Sequence, residues 1–518
     1  MSDPTRASYE AVPYVSAPIA FADPDSIAAN AMLHGVTPPP PDRCRVLELG
    51  CASGGNLLSM AFAFPKSQFL GVDLSQTQIA AGRYVISEMG LQNIKLEAQS
   101  IDEIDDNAGE FDYIICHGVY SWVPPNIQNA IFKVCAKHLA PSGIAYVSYN
   151  TFPGWHRRRM LRDMLLFHDD RSLDPKARVA RAREFANFLA AADPSDDSLY
   201  AQTLRAEVDQ LQKQADQHLF HEQLEPFNDP IYFAEFARRA TEHGLRYLAE
   251  AKPTAHTPAK GRVEDAFDSD RNTVQMEQYV DFVIGRTFRR TLLCREHVDV
   301  TNVPLAGAIP QLMIRSRGVS VPPSEADAAR GPGVEAFRTP NGVTMTTNNP
   351  LLIAVLQVLS RAAPLVLSFP DLQRLVAERA AANRSADAQP LAVDQETLAV
   401  VVLQCATSGL VEFRALPSRF VGEAGKRPKA SALARWQSLY FDTVSALGHW
   451  PLDVSGMERF LLPLLDGTND RAQLVRLTER AFADGDLRMG DTALTPEQIA
   501  GVIDDVLTKL ARSAVLVA

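Results

Sequence analysis

The chain has 518 residues, 46% of them apolar, and a formal net charge of -11; that length allows three or four compact units and that apolar share supplies packed cores, which excludes a disordered class. An acidic balance argues against nucleic acid as a partner, because phosphate contact needs clustered Lys and Arg. Six cysteines, Cys44, Cys51, Cys116, Cys135, Cys294 and Cys405, stand singly without a CxxC pair, which argues against a zinc site or disulfide scaffold and reads as reduced, cytosolic thiols.

The opening MSDPTRASYE lacks a basic region followed by an apolar core, so no secretory signal is expected. Residues 1–40 read as an extended, proline-rich arm carrying one helix over Asp25–Gly35, with Asp23 or Asp25 near its cap. Such an arm can close over a ligand. Tyr9 and Tyr14 are its lid candidates, with plain packing an equal alternative for each.

The stretch CRVLELGCASGGN, Cys44–Asn56, is a short apolar strand, Arg45–Leu49, running into a turn of small residues and then a helix. Small residues there let backbone approach a ligand, and the helix N-terminus offers unpaired N–H groups. The turn reads Gly-Cys-Ala-Ser-Gly-Gly rather than GxGxxG and lacks a following Gly-Lys-Ser/Thr, so a phosphate ligand is disfavoured. Glu48 just before it would repel a pyrophosphate and suits a cation such as the sulfonium and amino group of S-adenosylmethionine. The turn resembles motif I of the class I methyltransferases.

Ser67–Leu74 is a second strand, and Asp73 at its end lies at the roughly 20-residue offset where doubly wound folds bind ribose hydroxyls; capping of the next helix is the alternative. Asn93–Ile101 is a third strand that brings Ser100 and Ile101 to the adenine rim, with Asp102 a turn cap. The candidate cofactor residues are therefore Glu48, Gly50, Cys51, Ala52, Gly54, Asn56, Asp73, Leu74, Ser100, Ile101 and His117.

Phe111–Cys116 has the continuous apolar character of a buried parallel strand and delivers His117, Gly118, Tyr120, Ser121 and Trp122 to the ligand edge of the sheet. A helix over Asn126–Leu139, ended by Pro141 and Gly143, leads to a fifth strand, Ile144–Ser148, with Tyr149, Asn150, Trp155 and His156 just beyond it. Tyr14, His117, Tyr120, Trp122 and Tyr149 are the candidates for the acceptor channel, where aromatic faces can hold an amine by cation–π attraction worth about 0.5–2 kcal/mol each. Core packing competes for Tyr and Trp. For His117 the alternatives are a satisfied core polar group, a contact to the cofactor, and a base. Arg157, Arg158, Arg159 and Arg162 open the next helix as a solvated face or a docking surface for an acidic partner.

Three of these segments in order, ELGCASGGN, FDYIICHGVYSW and SYNTFPGWH, with HEQLEPFNDPIYFAEFARRATEHGLRYLAEA at His221–Ala251 and DFVIGRTFRRTLLCR at Asp281–Arg295, resemble bacterial methyltransferases that carry a methyltransferase regulatory domain. That group includes rickettsial protein-lysine methyltransferases of outer membrane proteins. The resemblance implies an α/β fold, with a Rossmann-like class I methyltransferase domain, and S-adenosylmethionine-dependent transfer to a protein side chain, the lysine amine of an outer membrane or surface protein before export being the expected acceptor. The arm departs from the family, with Ala22-Asp23-Pro24 where His-Pro is usual.

Helical spacing recurs over Asp174–Ala192, Ser198–His218 and Asp229–His243, followed by a possible strand at Leu245–Ala251. His218 and His221 there read as structural polar residues rather than metal ligands, and no metal is expected. The Pro- and Gly-rich Pro304–Thr347 reads as a connector. Beyond it the most apolar stretch, Leu351–Phe369, is interrupted by Gln357, Arg361 and Pro364 and reads as core helices rather than a membrane span, so a cytoplasmic protein is expected. A pattern of helices and a terminal strand occurs twice, suggesting winged helices whose third helices, poor in Lys and Arg, favour protein contact or homodimerisation over DNA. The expected division is an arm and helix at 1–40, a cofactor-binding domain at 41–160, a mainly helical middle domain at 161–303, a connector at 304–347, and winged-helix-like domains at 348–420 and 421–518. A small-molecule methyltransferase and a non-catalytic cofactor-binding interaction protein are the rival readings.

Overall fold

The computed structural model describes residues 10, 12, 16–252, 261–263, 266, 272–329, 331–339, 342, 344–382, 393–488 and 494–517. Its centre is a seven-stranded sheet built from β1 (Arg45–Leu49), β2 (Gln68–Asp73), β3 (Ile94–Ala98), β4 (Phe111–Cys116), β5 (Leu139–Asn150), β6 (Leu245–Glu250) and β7 (Phe288–Arg295), in the order β3-β2-β1-β4-β5-β7-β6. The first five strands are parallel, and β7 runs antiparallel between β5 and β6. The order reverses beside β1, so the turns after β1 and β4 open a crevice at the carboxyl edge.

Parallel strands are buried on both faces, and this explains their unbroken apolar runs. Along β1 and β4, Val46, Tyr113 and Ile115 enter one core while Leu47, Leu49, Ile114 and Cys116 enter the opposite one. The first core is covered by α1 (Pro24–Leu33), α2 (Gly55–Ala63) and α3 (Gln76–Met89); the second is covered by α4 (Pro125–His138) and, after the helices below, α9 (Phe233–Thr241). β5 starts at Leu139, earlier than the expected Ile144. Its register against β4 shifts between Phe111 and Tyr113, which accommodates Pro141 and Gly143 in a bulge instead of ending the element.

Helices α5 (Gly154–His168), α6 (Pro175–Ala191), α7 (Leu199–Gln212) and α8 (Asp216–Gln223) form a lobe around Leu161, Leu165, Val179, Leu204, Val208 and Phe220. The expected separate middle domain at 161–303 is corrected here: β6 and β7, which flank α10 (Thr273–Ile284), complete the methyltransferase sheet, and only the lobe stands outside it. The expected helix over Ser198–His218 is two helices, α7 and α8. Arg162 is buried and donates to the Gln223 carbonyl at 3.0 Å, while Arg157 and Arg159 pair with Glu207 and Asp163, so the basic tract is largely engaged within the lobe.

The expected connector at 304–347 is also corrected. Its strand Met313–Ser316 pairs with Leu367–Ser368 and Val411–Arg414, giving the first winged-helix-like unit its central strand, and helices Pro350–Ala362, Phe369–Ala382 and Gln395–Thr407 pack on it. A second unit surrounds helices Ala432–Tyr440, Arg471–Asp484 and Pro496–Arg512, with the hairpin Thr443–Ala446 and Trp450–Asp453. Between the sheet and the first unit lies α1. Its Ile27, Ala28 and Ala31 enter the sheet core, and its Ala29 and Leu33 enter the winged-helix core. Among the described residues no helix is long and apolar enough to cross a membrane.

Candidate functional site

The glycine turn is pinned to the end of β2, because Gly50 N–H and Cys51 N–H both donate to the Val72 carbonyl at 2.8 and 3.0 Å. Gly50 has φ +72°, and a Cβ there would stand 2.4 Å from a Val119 methyl, so the turn after β1 and the loop after β4 meet only because this position has no side chain. Asp73 accepts from Ala52 N–H at 2.8 Å with one oxygen and from Ser75 N–H at 2.9 Å with the other. It thus shapes the turn and holds Ser75, the residue that caps α3. Leu74 follows half-buried, and Cys51 is a buried thiol beneath the turn.

Glu48 is 3% exposed. One carboxyl oxygen accepts from Asn56 Nδ2 at 2.8 Å, while Oε2 is buried and has no hydrogen-bond partner. Burial, reinforced by the nearby Asp73 charge and opposed by the Asn56 bond, pushes its carboxyl up to about 8. A buried acceptor without a donor at the edge of a crevice fits a ligand that brings its own positive donor, and the ammonium group of S-adenosylmethionine is one. Asn56 itself is 2% exposed: its Oδ1 accepts from Ile19 N–H at 2.9 Å and faces His449 Nε2 at 2.8 Å. Its amide donates to Glu48, so it supports the carboxyl group from within the core. Ser100 and Ile101 open a short 3-10 turn capped by Ser100 and Glu103, in which Ser100 N–H donates to Glu103 and Ser100 Oγ donates to Asp102.

His117 follows β4 with Nδ1 2.9 Å from the Tyr146 hydroxyl, and its ring packs edge-on against Phe288 at 6.0 Å. Burial, with the Arg290 charge adding to it, lowers the imidazole to about 3. His117 is neutral near pH 7 and, as a base, too weak to hold a proton from an amine. Tyr146, Phe288 and Arg290 were invisible to the sequence reading. Tyr146 sits inside a strand run read only as apolar, and the other two come from β7, which pairs with β5 about 140 residues away in the chain.

Two expected acceptor residues lie elsewhere. Tyr120 is 0% exposed against Phe132 and Phe236, and Tyr149 is 1% exposed, stacked on Phe236 at 4.0 Å with its hydroxyl 2.9 Å from Thr291 Oγ1. Both belong to the core beneath α4 and α9, on the face of the sheet opposite Tyr146. Trp122 is half-buried and packs edge-on to Trp155 at 6.4 Å. Tyr9 and Tyr14 lie outside the described residues. Nearby, Ser16 Oγ accepts from Gly55 N–H at 2.7 Å, so the arm does run over the N-terminus of α2. His221 is structural, with its nitrogens engaged by Glu225 and the Val12 carbonyl.

Comparison with known proteins gives three family matches: "Methyltransferase domain" over residues 46–143, "Predicted methyltransferase regulatory domain" over 215–295, and "PKMT, C-terminal winged helix domain" over 426–515. The second range comprises α8, α9, β6, α10 and β7, the part that finishes the sheet. The Rickettsia prowazekii protein RP789 is 32% identical over 514 residues, covering 97% of this chain and 91% of its own, and RP028 of the same organism is 37% identical over 47% of this chain and 97% of its own. The solved structure of PKMT2 from Rickettsia typhi aligns with TM-score 0.84 at 26% identity over 98% of this chain and 100% of that one, and the same protein in complex with AdoHcy aligns with TM-score 0.83. With its sheet order, its glycine turn and a relative matched along nearly the whole length, the chain belongs to the S-adenosylmethionine-dependent methyltransferases that join a class I domain to a methyltransferase regulatory domain and a PKMT-type C-terminal winged helix.

Proposed function

We propose that the chain methylates a lysine side-chain amine on a protein. The observation that carries this reading is likeness over the full chain, winged-helix units included, to a protein whose name is PKMT2. A metabolite acceptor needs no such platform. S-adenosylmethionine supplies an electrophilic methyl on a sulfonium. Around it, Glu48 Oε2 would accept from the donor's ammonium, Asp73 from its ribose hydroxyls, and the backbone from Gly50 to Gly54 would lie along it, with Leu74, Ser100 and Ile101 bordering the base. His117, Tyr146 and Phe288 would wall the methyl side, with Trp122 farther along the same edge.

The neutral His117 fits this chemistry. An attacking amine must arrive uncharged, and a group with a conjugate acid near 3 neither takes its proton nor adds a cation beside the sulfonium. The proton therefore leaves to water before attack, and placement and desolvation supply the rate. The test is methyl-labelled donor with the purified protein and fractionated bacterial extract, followed by hydrolysis and amino-acid analysis. Label is expected on polypeptide as methylated lysine. Label confined to small molecules, or on another side chain, overturns the reading.

A further inference from the structure

The contact between His449 and Asn56 joins residues 393 positions apart and brings the second winged-helix unit to the glycine turn. We propose that His449 is a positioning residue for donor binding: through Asn56 it fixes the orientation of Glu48, so that the methyltransferase site is complete only with the C-terminal unit in place. The inference rests on Glu48 as the donor's carboxylate, the assignment made above.

The hydrogen-bond directions are forced. Ile19 offers a backbone N–H, which can only donate, so the Asn56 atom 2.9 Å from it is the carbonyl Oδ1. His449 Nε2, 2.8 Å from the same oxygen, must then carry a proton and donate. With Oδ1 held by two donors, the Asn56 amide turns its NH2 to Glu48 Oε1 at 2.8 Å, and Oε2 is left buried without a partner. Were the amide to rotate, its oxygen would oppose the ionised carboxylate that meets the donor, and Glu48 would lose the bond that selects its rotamer.

His449 is itself held tightly. It has φ +65°, a conformation side-chain-bearing residues rarely adopt, and such positions persist where the surroundings over-determine them. It occupies the turn between Ala446 and Trp450, its N–H donating to the Ala446 carbonyl at 3.0 Å. Arg414, salt-bridged to Asp23 at 2.8 Å, donates to the Gly448 carbonyl at 3.4 Å. Asp23, Arg414 and Arg315 are the charged groups that face the ring, and burial outweighs Asp23 in keeping it neutral, the form that donates through one nitrogen and needs no counter-charge.

The experiment compares donor affinity, by calorimetry on the full chain, in His449→Phe, His449→Gln and each of these combined with Glu48→Ala. The relay predicts about tenfold weaker binding for His449→Phe, the effect of one lost hydrogen bond, and recovery to within about threefold for His449→Gln, whose amide can donate to Asn56. It also predicts that His449→Phe costs nothing further once Glu48 is Ala. Equal loss in Phe and Gln variants, or an undiminished loss in the Glu48→Ala background, assigns His449 a role in packing and overturns the proposal; so does wild-type affinity in His449→Phe. If Glu48→Ala alone binds the donor as wild type does, the assignment of Glu48 fails instead. Should His449→Phe not fold, His449→Gln still decides, because a loss well above about threefold in a variant that keeps the donor to Asn56 overturns the proposal.

Discussion

A carboxyl group held at about 8 is protonated at neutral pH, and a cationic ligand that prefers its charged form must expel that proton on binding. Donor affinity should therefore rise between pH 6 and pH 8, by up to tenfold per unit, with about one proton released per donor bound. The release is measured by calorimetry in two buffers of different ionisation enthalpy. Glu48→Gln should flatten the profile, and a flat wild-type profile would mean that Glu48 does not meet the ammonium. The position of Glu48 at the strand end was legible in the sequence because a strand running into a glycine turn fixes where its penultimate side chain stands. The surroundings of His117 were not. Position in the chain placed Tyr120 and Tyr149 at the ligand edge, but alternate residues of a strand face opposite layers, and parity sends the two buried residues Tyr146 and Tyr149 into opposite cores, Tyr146 on the side of His117. His449 carried no signal at all, because its partner is 393 residues away.

Among the elements, the five parallel strands were readable to within a few residues at most of their ends, since double-sided burial leaves an apolar run and the turns punctuate it. The antiparallel β6 and β7 were harder, because nothing local announces that a strand after a helical insertion returns to the same sheet. Arg289 shows what holds β7 there. It is fully buried, makes a bidentate bond to Asp281 at 2.8 and 2.9 Å, reaches Glu250 at 3.2 Å and Glu277 at 3.0 Å, and lies 3.8 Å over the Phe233 ring. One side chain thus ties α9, α10 and β6 to β7. Arg289→Met would leave three clustered carboxylates with Arg286, 2.6 Å from Asp281 and 3.8 Å from Glu250, as their remaining cation, and a broken buried pair costs about 3–5 kcal/mol. Denaturation is expected to show a loss of that size at pH 8 that shrinks as the pH falls and the crowded carboxyls bind protons. A loss under about 1 kcal/mol at pH 8, a change of the exposed-pair class, would count against this account of the sheet's closure.

At the scale of the whole molecule, α1 is the wedge between the methyltransferase sheet and the winged-helix units, and its first turn carries the charges that lock it. Asp23 caps α1 by accepting from Ser26 N–H at 3.1 Å and pairs with Arg414 at 2.8 Å, while Asp25 accepts from Ala415 and Leu416 N–H at 2.7 and 2.8 Å. The helix was legible from its proline and its acids, but the partners of those acids were not, being almost 400 residues away. Because the same segment runs back through Ile19 to Asn56 and through Ser16 to Gly55, loosening it should be felt at the donor. Arg414→Met leaves Asp23 buried and unpaired and should cost about 3–5 kcal/mol, whereas adding Asp23→Asn, which keeps a capping oxygen but removes the charge, should return part of that loss. A chain of several units need not unfold in one step, so the measurement is the thermal midpoint of each variant with and without saturating donor. The single variant is expected to show a lowered midpoint and a smaller donor-induced rise, and the double variant a partial return of both. If Arg414→Met lowers the midpoint but leaves the donor-induced rise intact, the winged-helix units are attached to the catalytic domain without being coupled to its ligand.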